Sequence, residues 1–314
     1  MKTGIIILNY NGSRETIKCI QSIERHNSAD IRYIIIDNGS SQKGETEVID
    51  NFLQTTFPGQ YVQVCEQGYP KEEERAKAIF LASQSNDGFA KGNNKGLRIA
   101  LSDNAIDDIL ILNNDVTFDS DIIPILLSHR DILGKVGILT PIIYNLNGEI
   151  EHTCARRFPS NWQVMLPFIL FRRDVFHILS KSSNSQKELI TNPGLLHEAF
   201  FPIGMPSGAC MLIKKEILQD INGLDEGTFL YYEENILCKQ LQDKGLVNYC
   251  VPRARVIHIG GASTAKTESV FLQKCNLESA DHYLKHFSKM TLFQRIIWWI
   301  VFKAWNLKFR FKRP

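Results

Sequence analysis

The 314-residue chain contains no CxxC pair, no GxGxxG, no GK[ST] and no apolar run of transmembrane length. Its seven cysteines (19, 65, 154, 210, 238, 250 and 275) follow no metal-like spacing, which excludes a zinc ribbon and points to reduced thiols in a cytosolic protein. Without the glycine fingerprints, neither the dinucleotide motif nor the P-loop applies. The uninterrupted apolar core of the C-terminal region, Ile296–Phe302, is seven residues, against the ~20 needed to cross a bilayer. A strand-like run begins at Gly4, so a charged leader with a cleavage site is not expected. Acidic residues are missing from His282–Pro314, which holds eight Lys or Arg. Removing those eight from 36 basic and 34 acidic residues leaves 1–281 with 28 basic and 34 acidic, a net of −6. A body of that sign is no general nucleic-acid binder, whereas the basic tail suits an anionic surface.

What is present is the composition of a folded protein, 44% hydrophobic and 22% charged, long enough for one large domain or two ordinary ones. Gly4–Leu8 and Tyr33–Ile36 are apolar runs that end in Asn9-Tyr10-Asn11-Gly12 and Asp37-Asn38-Gly39-Ser40-Ser41. A helix follows each: Ser13 can cap Arg14 to about His26, and Glu45 to about Leu53 is the second. This is βαβ alternation. Tyr61–Cys65 reads as an edge strand, Lys71–Lys77 as a charged turn and Ile79–Ala82 as a strand. The stretch from Asn86 to Gly96, NDGFAKGNNKG, is a Gly/Asn loop running into a helix to about Leu101. Such a loop is either an ordinary turn or a place where backbone approaches a ligand.

The run DILILNNDVTFD, Asp108 to Asp119, holds four consecutive apolar residues followed by Asn113, Asn114 and Asp115. A strand buried on both faces carries such polar residues to the carboxyl edge of a parallel sheet. There they form an Asx-rich turn or, through Asp115, a seat for a divalent cation. Helix is expected from Asp121 to Arg130 and strand at Val136–Leu139; regular alternation then lapses from Pro141 to Pro202. Phe158–Leu179, with Arg156, Arg157, Arg172 and Arg173 around it, and the polar loop Lys181–Lys187 read as an acceptor-binding insert or a lid. Order returns at Met205–Ile213, with a helix at Lys214–Asp220. Glu233 and Glu234 open a helix to about Lys244, where carboxylates serve either capping or catalysis. Strands at Val247–Val251 and Ala254–Ile257 lead to His258, a structural histidine or a ligand.

Taken in order, IIILNYNG, IIIDNGSS, NDGFAKGNNKGL, ILNNDV, PSGACMLIKKE, GLDEGTFLYYEEN and HIGGAST resemble the family 2 glycosyltransferases. The likeness is to the rhamnosyltransferase-like enzymes of bacterial surface polysaccharide assembly, and it covers roughly 3–145 and 203–265. It implies the GT-A fold: α/β, a Rossmann-like, mostly parallel central sheet with helices on both faces, here followed by amphipathic C-terminal helices. It divides 1–265 into a nucleotide-sugar half (1–140), a variable insert or acceptor region (141–202) and an acceptor and catalytic half (203–265), with 266–314 as a helical tail.

The resemblance also implies inverting transfer of a hexosyl or deoxyhexosyl group from a nucleotide sugar, most simply a UDP- or dTDP-sugar, to a saccharide hydroxyl. Asn9, Asn11 and Asp37 match donor-binding positions, as do Asn86, Gly88, Asn93 and Asn94; Asn113-Asn114-Asp115 matches the DxD motif. Asp115 and His258 would meet Mg²⁺ or Mn²⁺, and Glu234, with Glu233 as the alternative, would be the base. Ser207, Gly208, Asp225 and Tyr231 fall on the acceptor side. Two departures stand out: Asn113 where the motif has Asp, and Glu234 where the acidic pair ends in Asp. The stretch 65–80 is also longer than the pattern. A nucleotidyltransferase would need a Gly-rich signature with Lys or Arg in the first loop, which NYNGSRET fits poorly; a non-catalytic nucleotide-sugar-binding scaffold is the third reading.

The tail, TLFQRIIWWIVFKAW from Thr291, followed by Lys308, Arg310, Lys312 and Arg313, suits a helix lying in the plane of an anionic membrane, or one packed on the catalytic domain. The first would hold a cytoplasmic enzyme at the inner face of the membrane, beside a polyprenyl-diphosphate-linked acceptor; nucleic acid is not expected.

Overall fold

Ile5, Ile6 and Ile7 are fully buried, as are Ile34, Ile35 and Ile36, so both strands must be covered on both faces. The computed structural model, which describes residues 2–66, 76–170, 193–260 and 269–311, provides that cover. Its strands are β1 (Lys2–Asn9), β2 (Ile31–Asp37), β3 (Tyr61–Val64), β4 (Ala78–Ala82), β5 (Ile106–Asn113), β6 (Val116–Phe118), β7 (Val136–Tyr144), β8 (Ala155–Arg156), β9 (Phe201–Ile203), β10 (Met205–Pro206), β11 (Cys210–Lys214) and β12 (Val247–His258). Helices are α1 (Ser13–His26), α2 (Glu45–Thr56), α3 (Gly88–Ser102), α4 (Ile122–Ile132), α5 (Asn161–Ile169), α6 (Lys215–Asp220), α7 (Glu233–Asp243), α8 (Ser269–His286) and α9 (Leu292–Phe311).

Ten strands form one sheet, β3-β4-β2-β1-β5-β11-β7-β12-β6, with β9 beside β12; β8 and β10 pair separately. The half β3-β4-β2-β1-β5 is entirely parallel. β11 runs antiparallel between β5 and β7, and β12 is again parallel to β7. Because β2 lies on one side of β1 and β5 on the other, the chain reverses its winding there, which opens a crevice at the carboxyl ends of β1 and β5.

Alternation along the strands divides the core. Ile5, Ile7, Tyr33 and Ile35 pack with Ile20 and Ile23 of α1, Ile49 and Leu53 of α2 and Leu126 of α4. Ile6, Ile34 and Ile36 pack with Leu97 of α3, Leu218 of α6 and Leu237 of α7. Each such side chain contributes ~1.5–3 kcal/mol on burial, so the pattern commits the strands to the middle of the molecule.

Several expectations are adjusted. Gly12, not Ser13, is the N-cap of α1, and Ser13 donates its backbone N–H to Glu45 Oε2 at 2.7 Å instead. Helix α3 starts inside the Gly/Asn stretch, at Gly88. The last two strands are one, β12, with a register shift between Val251 and Arg255. The stretch after Pro141 is more ordered than its sequence suggests: β7 continues to Tyr144, and Ser160 and Gln163 form a capping box that starts α5. Val164, Met165 and Phe168 of α5 join Leu277 and Leu284 of α8 and Trp298 and Trp305 of α9 in a third core. Of the readings above, those on 71–75, Arg172, Arg173, Lys181–Lys187, 261–264, Lys312 and Arg313 lie outside the described residues. Cys65 is exposed, and Cys19, Cys154, Cys210, Cys238, Cys250 and Cys275 are buried free thiols.

Candidate active site

Asn9 and Asp37 end adjacent strands in register, and each is fully engaged by its neighbours. Asn9 Nδ2 donates to Asp37 Oδ1 at 2.9 Å, and its Oδ1 accepts from Thr16 at 2.9 Å. Asp37 also accepts from Ser40 and, at 2.5 Å, from Thr46. Asn114 Nδ2 points into the same nest, toward Asn9 Oδ1, Gly12 O and Thr16 Oγ1 at 3.1–3.2 Å. These three side chains therefore build the floor of the crevice. Asn11, at φ 53°, folds the β1–α1 loop over by accepting from the backbone N–H groups of Ser41 and Gln42.

The Gly/Asn stretch forms the second wall. Asn86 Oδ1 accepts from Gly88 N and Asn38 Nδ2, both at 2.9 Å. Gly88 sits at φ 83°, where a Cβ would fall 2.2 Å from Phe229 O, so only glycine fits. Asn94 reaches across the molecule: its Oδ1 accepts from Leu224 N and its Nδ2 donates to Leu224 O. Asn93 is buried with its Oδ1 unpartnered. The GLDEGTF loop is thus held against α3 by backbone and amide contacts, which brings the acidic pair to the crevice.

Two left-handed residues, Tyr231 (φ 76°) and Tyr232 (φ 68°), turn the chain into α7. Such backbone costs of order 1–3 kcal/mol per residue and persists where the surroundings fix it. It separates the two glutamates. Glu233 is buried with its Oε1 unpartnered, and burial, then the charge of Glu234, pushes its carboxyl up to about 8. Glu234 is part-exposed and accepts from Gly208 N at 3.0 Å, with Arg156 Nη2 4.0 Å away. One residue on, Ala209 O accepts from Asn113 N at 2.9 Å, so Glu234 is tied to the end of β5 through two residues of the PSGA turn. Ser207 Oγ closes that turn on Ala209 N.

Asp115 and His258 meet on the same edge. His258 Nε2 lies 3.1 Å from Asp115 Oδ1, and its Nδ1 lies 2.8 Å from Glu151 Oε1. Asn113 Nδ2 is 3.5 Å from the same ring. Burial works to lower the His258 pKa, but hydrogen bonds to the two carboxylates outweigh it and raise it to about 10. Among the described residues no group of three or more His, Cys, Asp or Glu is arranged as a cation cage. A facing carboxylate and imidazole nevertheless fit a cation that takes its remaining ligands from substrate phosphates and water, the usual habit of Mg²⁺.

Asp225 is paired with His282 of α8 at 2.7 Å and accepts from Gly227 N. Sequence reasoning missed Thr16, which holds Asn9, Ser40 and Thr46, which fix Asp37, and Glu151, which faces His258; Arg156, read only as part of an acceptor-binding insert or lid, faces Glu234. The hydroxyl residues sit at spacings common in any loop, and the other two lie where periodicity lapses. The one local signal of order near Arg156 is the Ser-x-x-Gln spacing of Ser160 and Gln163, which the structure uses as a capping box.

A model of the family described as Glycosyl transferase family 2 matches residues 4–221. The N-acetylglucosaminyl-diphospho-decaprenol L-rhamnosyltransferase of Mycobacterium tuberculosis is 24% identical over 208 residues, 65% of this chain and 61% of its own. The low-salt glycan biosynthesis hexosyltransferase Agl10 of Haloferax volcanii is 26% identical over 236 residues, 75% of this chain and 60% of its own. This chain therefore spans about three fifths of these curated relatives. Among solved structures, GalNAc-T7 with UDP, GalNAc and Mn²⁺ aligns with TM-score 0.56 and 12% identity, covering 82% of this chain and 44% of that one. The mannosyltransferase PcManGT of Pyrobaculum calidifontis, in complex with GDP-Man and Mn²⁺, aligns with TM-score 0.54 and 12% identity, covering 92% and 65%. The fold is that of the GT-A glycosyltransferases.

Proposed function

Because this chain belongs to glycosyltransferase family 2, we propose that it moves a sugar from a nucleotide sugar to a saccharide hydroxyl, with inversion and with a divalent cation. The convergence at the end of β5 carries this reading: the Asp115–His258 pair on one side and the Gly208-held carboxylate of Glu234 on the other. Asp115 and His258 would hold Mg²⁺ or Mn²⁺, which when bound offsets charge on the leaving diphosphate. Asn113 brings no charge to that seat. Glu234, the part-exposed member of the acidic pair, would take the proton of the acceptor hydroxyl. The hydroxyl oxygen bonds to the anomeric carbon as the bond from that carbon to the diphosphate oxygen breaks. A single displacement of this kind inverts the centre. Glu233, buried and held protonated, would support the turn and not act as base.

The nest around Asn9 and Asp37, with Asn11, would seat the nucleoside; Asn86, Gly88, Asn93 and Asn94 would shape the wall beside the sugar. Ser207, Gly208, Asp225 and Tyr231 would lie toward the acceptor, in a 203–265 half set against 1–140 across the insert. The donor would be a UDP- or dTDP-sugar, and a polyprenyl-diphosphate-linked acceptor accords with relatives named for a decaprenol-linked substrate and for glycan biosynthesis. Screening nucleotide sugars with Mn²⁺ for thermal stabilisation tests the donor class. A rise in Tm with one nucleotide family that Asp115→Ala removes is expected, and no response to any member would count against it.

The C-terminal segment 266–314 would attach the enzyme to the cytoplasmic face of the membrane. No described helix is long and apolar enough to cross a bilayer. Helix α9 has two faces: Trp298, Val301 and Trp305 are buried, whereas Leu292, Phe293, Ile296, Trp299, Ile300 and Leu307 are each more than half exposed. Arg295, Lys303 and Arg310 lie among them on exposed positions, and Trp162 of α5 extends the patch beside Phe293. An apolar strip with aromatic and basic flanks suits an anionic lipid surface.

A further inference from the structure

Glu151 lies just beyond β7, in the turn NLNGEIE, and nothing in that sequence marks it. Its setting is specific. The backbone N–H of Glu151 donates to Ile143 O at 2.9 Å, Thr153 Oγ1 donates to its Oε2 at 3.2 Å, and its Oε1 faces His258 Nδ1 at 2.8 Å. On the other side of the ring, Ile259 N donates to Asp115 O at 3.0 Å, which fixes the strand end that carries Asp115 against the one that carries His258. The imidazole is thus held between two carboxylates that are themselves anchored.

A carboxylate only accepts, so the nitrogen facing Glu151 must carry a hydrogen. By the same rule Nε2, turned to Asp115, also carries a hydrogen in the structure; a cation seated between Nε2 and Asp115 would replace that hydrogen, while Glu151 keeps the one on Nδ1. We propose that Glu151 is a positioning residue for the cation seat: it fixes the ring of His258 so that Nε2 and Asp115 address one divalent ion. A carboxylate behind a ligating histidine restricts the ring to one orientation and makes it a better donor; losing such a partner typically weakens metal binding ~10–100-fold. The inference rests on the reading of Asp115 and His258 as the cation seat. The competing role is a strut, in which the ring only joins two carboxylates and Glu151 matters to folding alone.

Titration with Mn²⁺ alone, following the free ion by electron paramagnetic resonance, separates these. Wild-type protein should bind Mn²⁺, and Asp115→Asn should not; if both bind alike, the cation seat itself is misassigned and the role of Glu151 falls with it. With the seat in place, Glu151→Ala should weaken Mn²⁺ binding ~10–100-fold, while Glu151→Gln, whose amide oxygen still accepts from Nδ1–H, should stay within about threefold of wild type. Thr153→Ala, which frees only the second oxygen of Glu151, gives a milder variant if Glu151→Ala does not fold, and should weaken binding by a smaller factor. Unchanged Mn²⁺ affinity in folded Glu151→Ala, or in Thr153→Ala where only that variant folds, would overturn the proposal, as would equal loss in Glu151→Gln and Glu151→Ala.

Discussion

The two neighbouring glutamates differ in surroundings more than in chemistry. Glu234 is part-exposed and oriented by a backbone N–H, whereas Glu233 is buried with an unpartnered oxygen. Glu234→Gln should therefore lower transfer ~10²–10⁴-fold without moving the melting temperature, and Glu233→Gln should keep most activity, since it replaces a carboxyl already neutral at pH 7. The reverse pattern in a transfer assay would move the base by one residue. Glu233 also sets a pH dependence. Its folded pKa is raised to about 8 from an ordinary value of 4.5, so the folded state binds the proton more tightly. Its stabilisation is complete below the unfolded pKa and is lost as pH rises through the folded one. Thermal melts from pH 4.5 to 8 should show wild type losing stability relative to Glu233→Gln, on the order of a few kcal/mol in all. Parallel curves would show that Glu233 is not buried as a neutral acid.

At the level of elements, the strands that build the site were legible because their sequences admit one solution. Ile5–Ile7 and Ile109–Leu112 are apolar on both faces, and each ends in Asn or Asp, which identifies the carboxyl edge. The place of Asn9, Asp37 and Asp115 at that edge follows from the same pattern, whereas the roles given to them and to His258 come from the resemblance to the family. Helix α3 was harder to delimit, because Gly88, Gly92 and Gly96 mimic a loop while close packing against Phe229, Leu8 and Ile6 is what requires them. Helix α5 has only its Ser160–Gln163 capping box as a local signal. Its apolar face is completed by Trp298 and Trp305, more than a hundred residues downstream, and no local pattern encodes that. The indole of Trp305 donates to Phe168 O at 2.9 Å and makes the bond between these segments explicit. The Gly88 turn offers a direct test of the α3 wall. Gly88→Ala meets a backbone carbonyl and a left-handed φ together, so it should cost at least ~1–3 kcal/mol in denaturant unfolding. A variant as stable as wild type would show that the α3 turn does not pack on Phe229.

For the molecule as a whole, α9 serves the fold and the surface at once. Deleting 291–314 would remove Trp298 and Trp305 from the third core, so loss of membrane binding in such a truncation would be uninformative. Trp299→Glu with Ile300→Glu leaves the buried face intact and should abolish co-sedimentation with vesicles of anionic lipid while preserving the melting temperature. Retained sedimentation would argue that α9 is only a packing helix. The parallel half-sheet, the antiparallel β11 and the acidic pair converge on a single edge, and the central claim is that this edge performs one inverting displacement. The most direct measurement is the anomeric configuration of the product by NMR, after reaction of the stabilising nucleotide sugar with a polyprenyl-diphosphate-linked saccharide in Mn²⁺. Inverted product from wild type, and none from Asp115→Ala or Glu234→Gln, is the predicted result; product of retained configuration, or undiminished transfer by either variant, would contradict it.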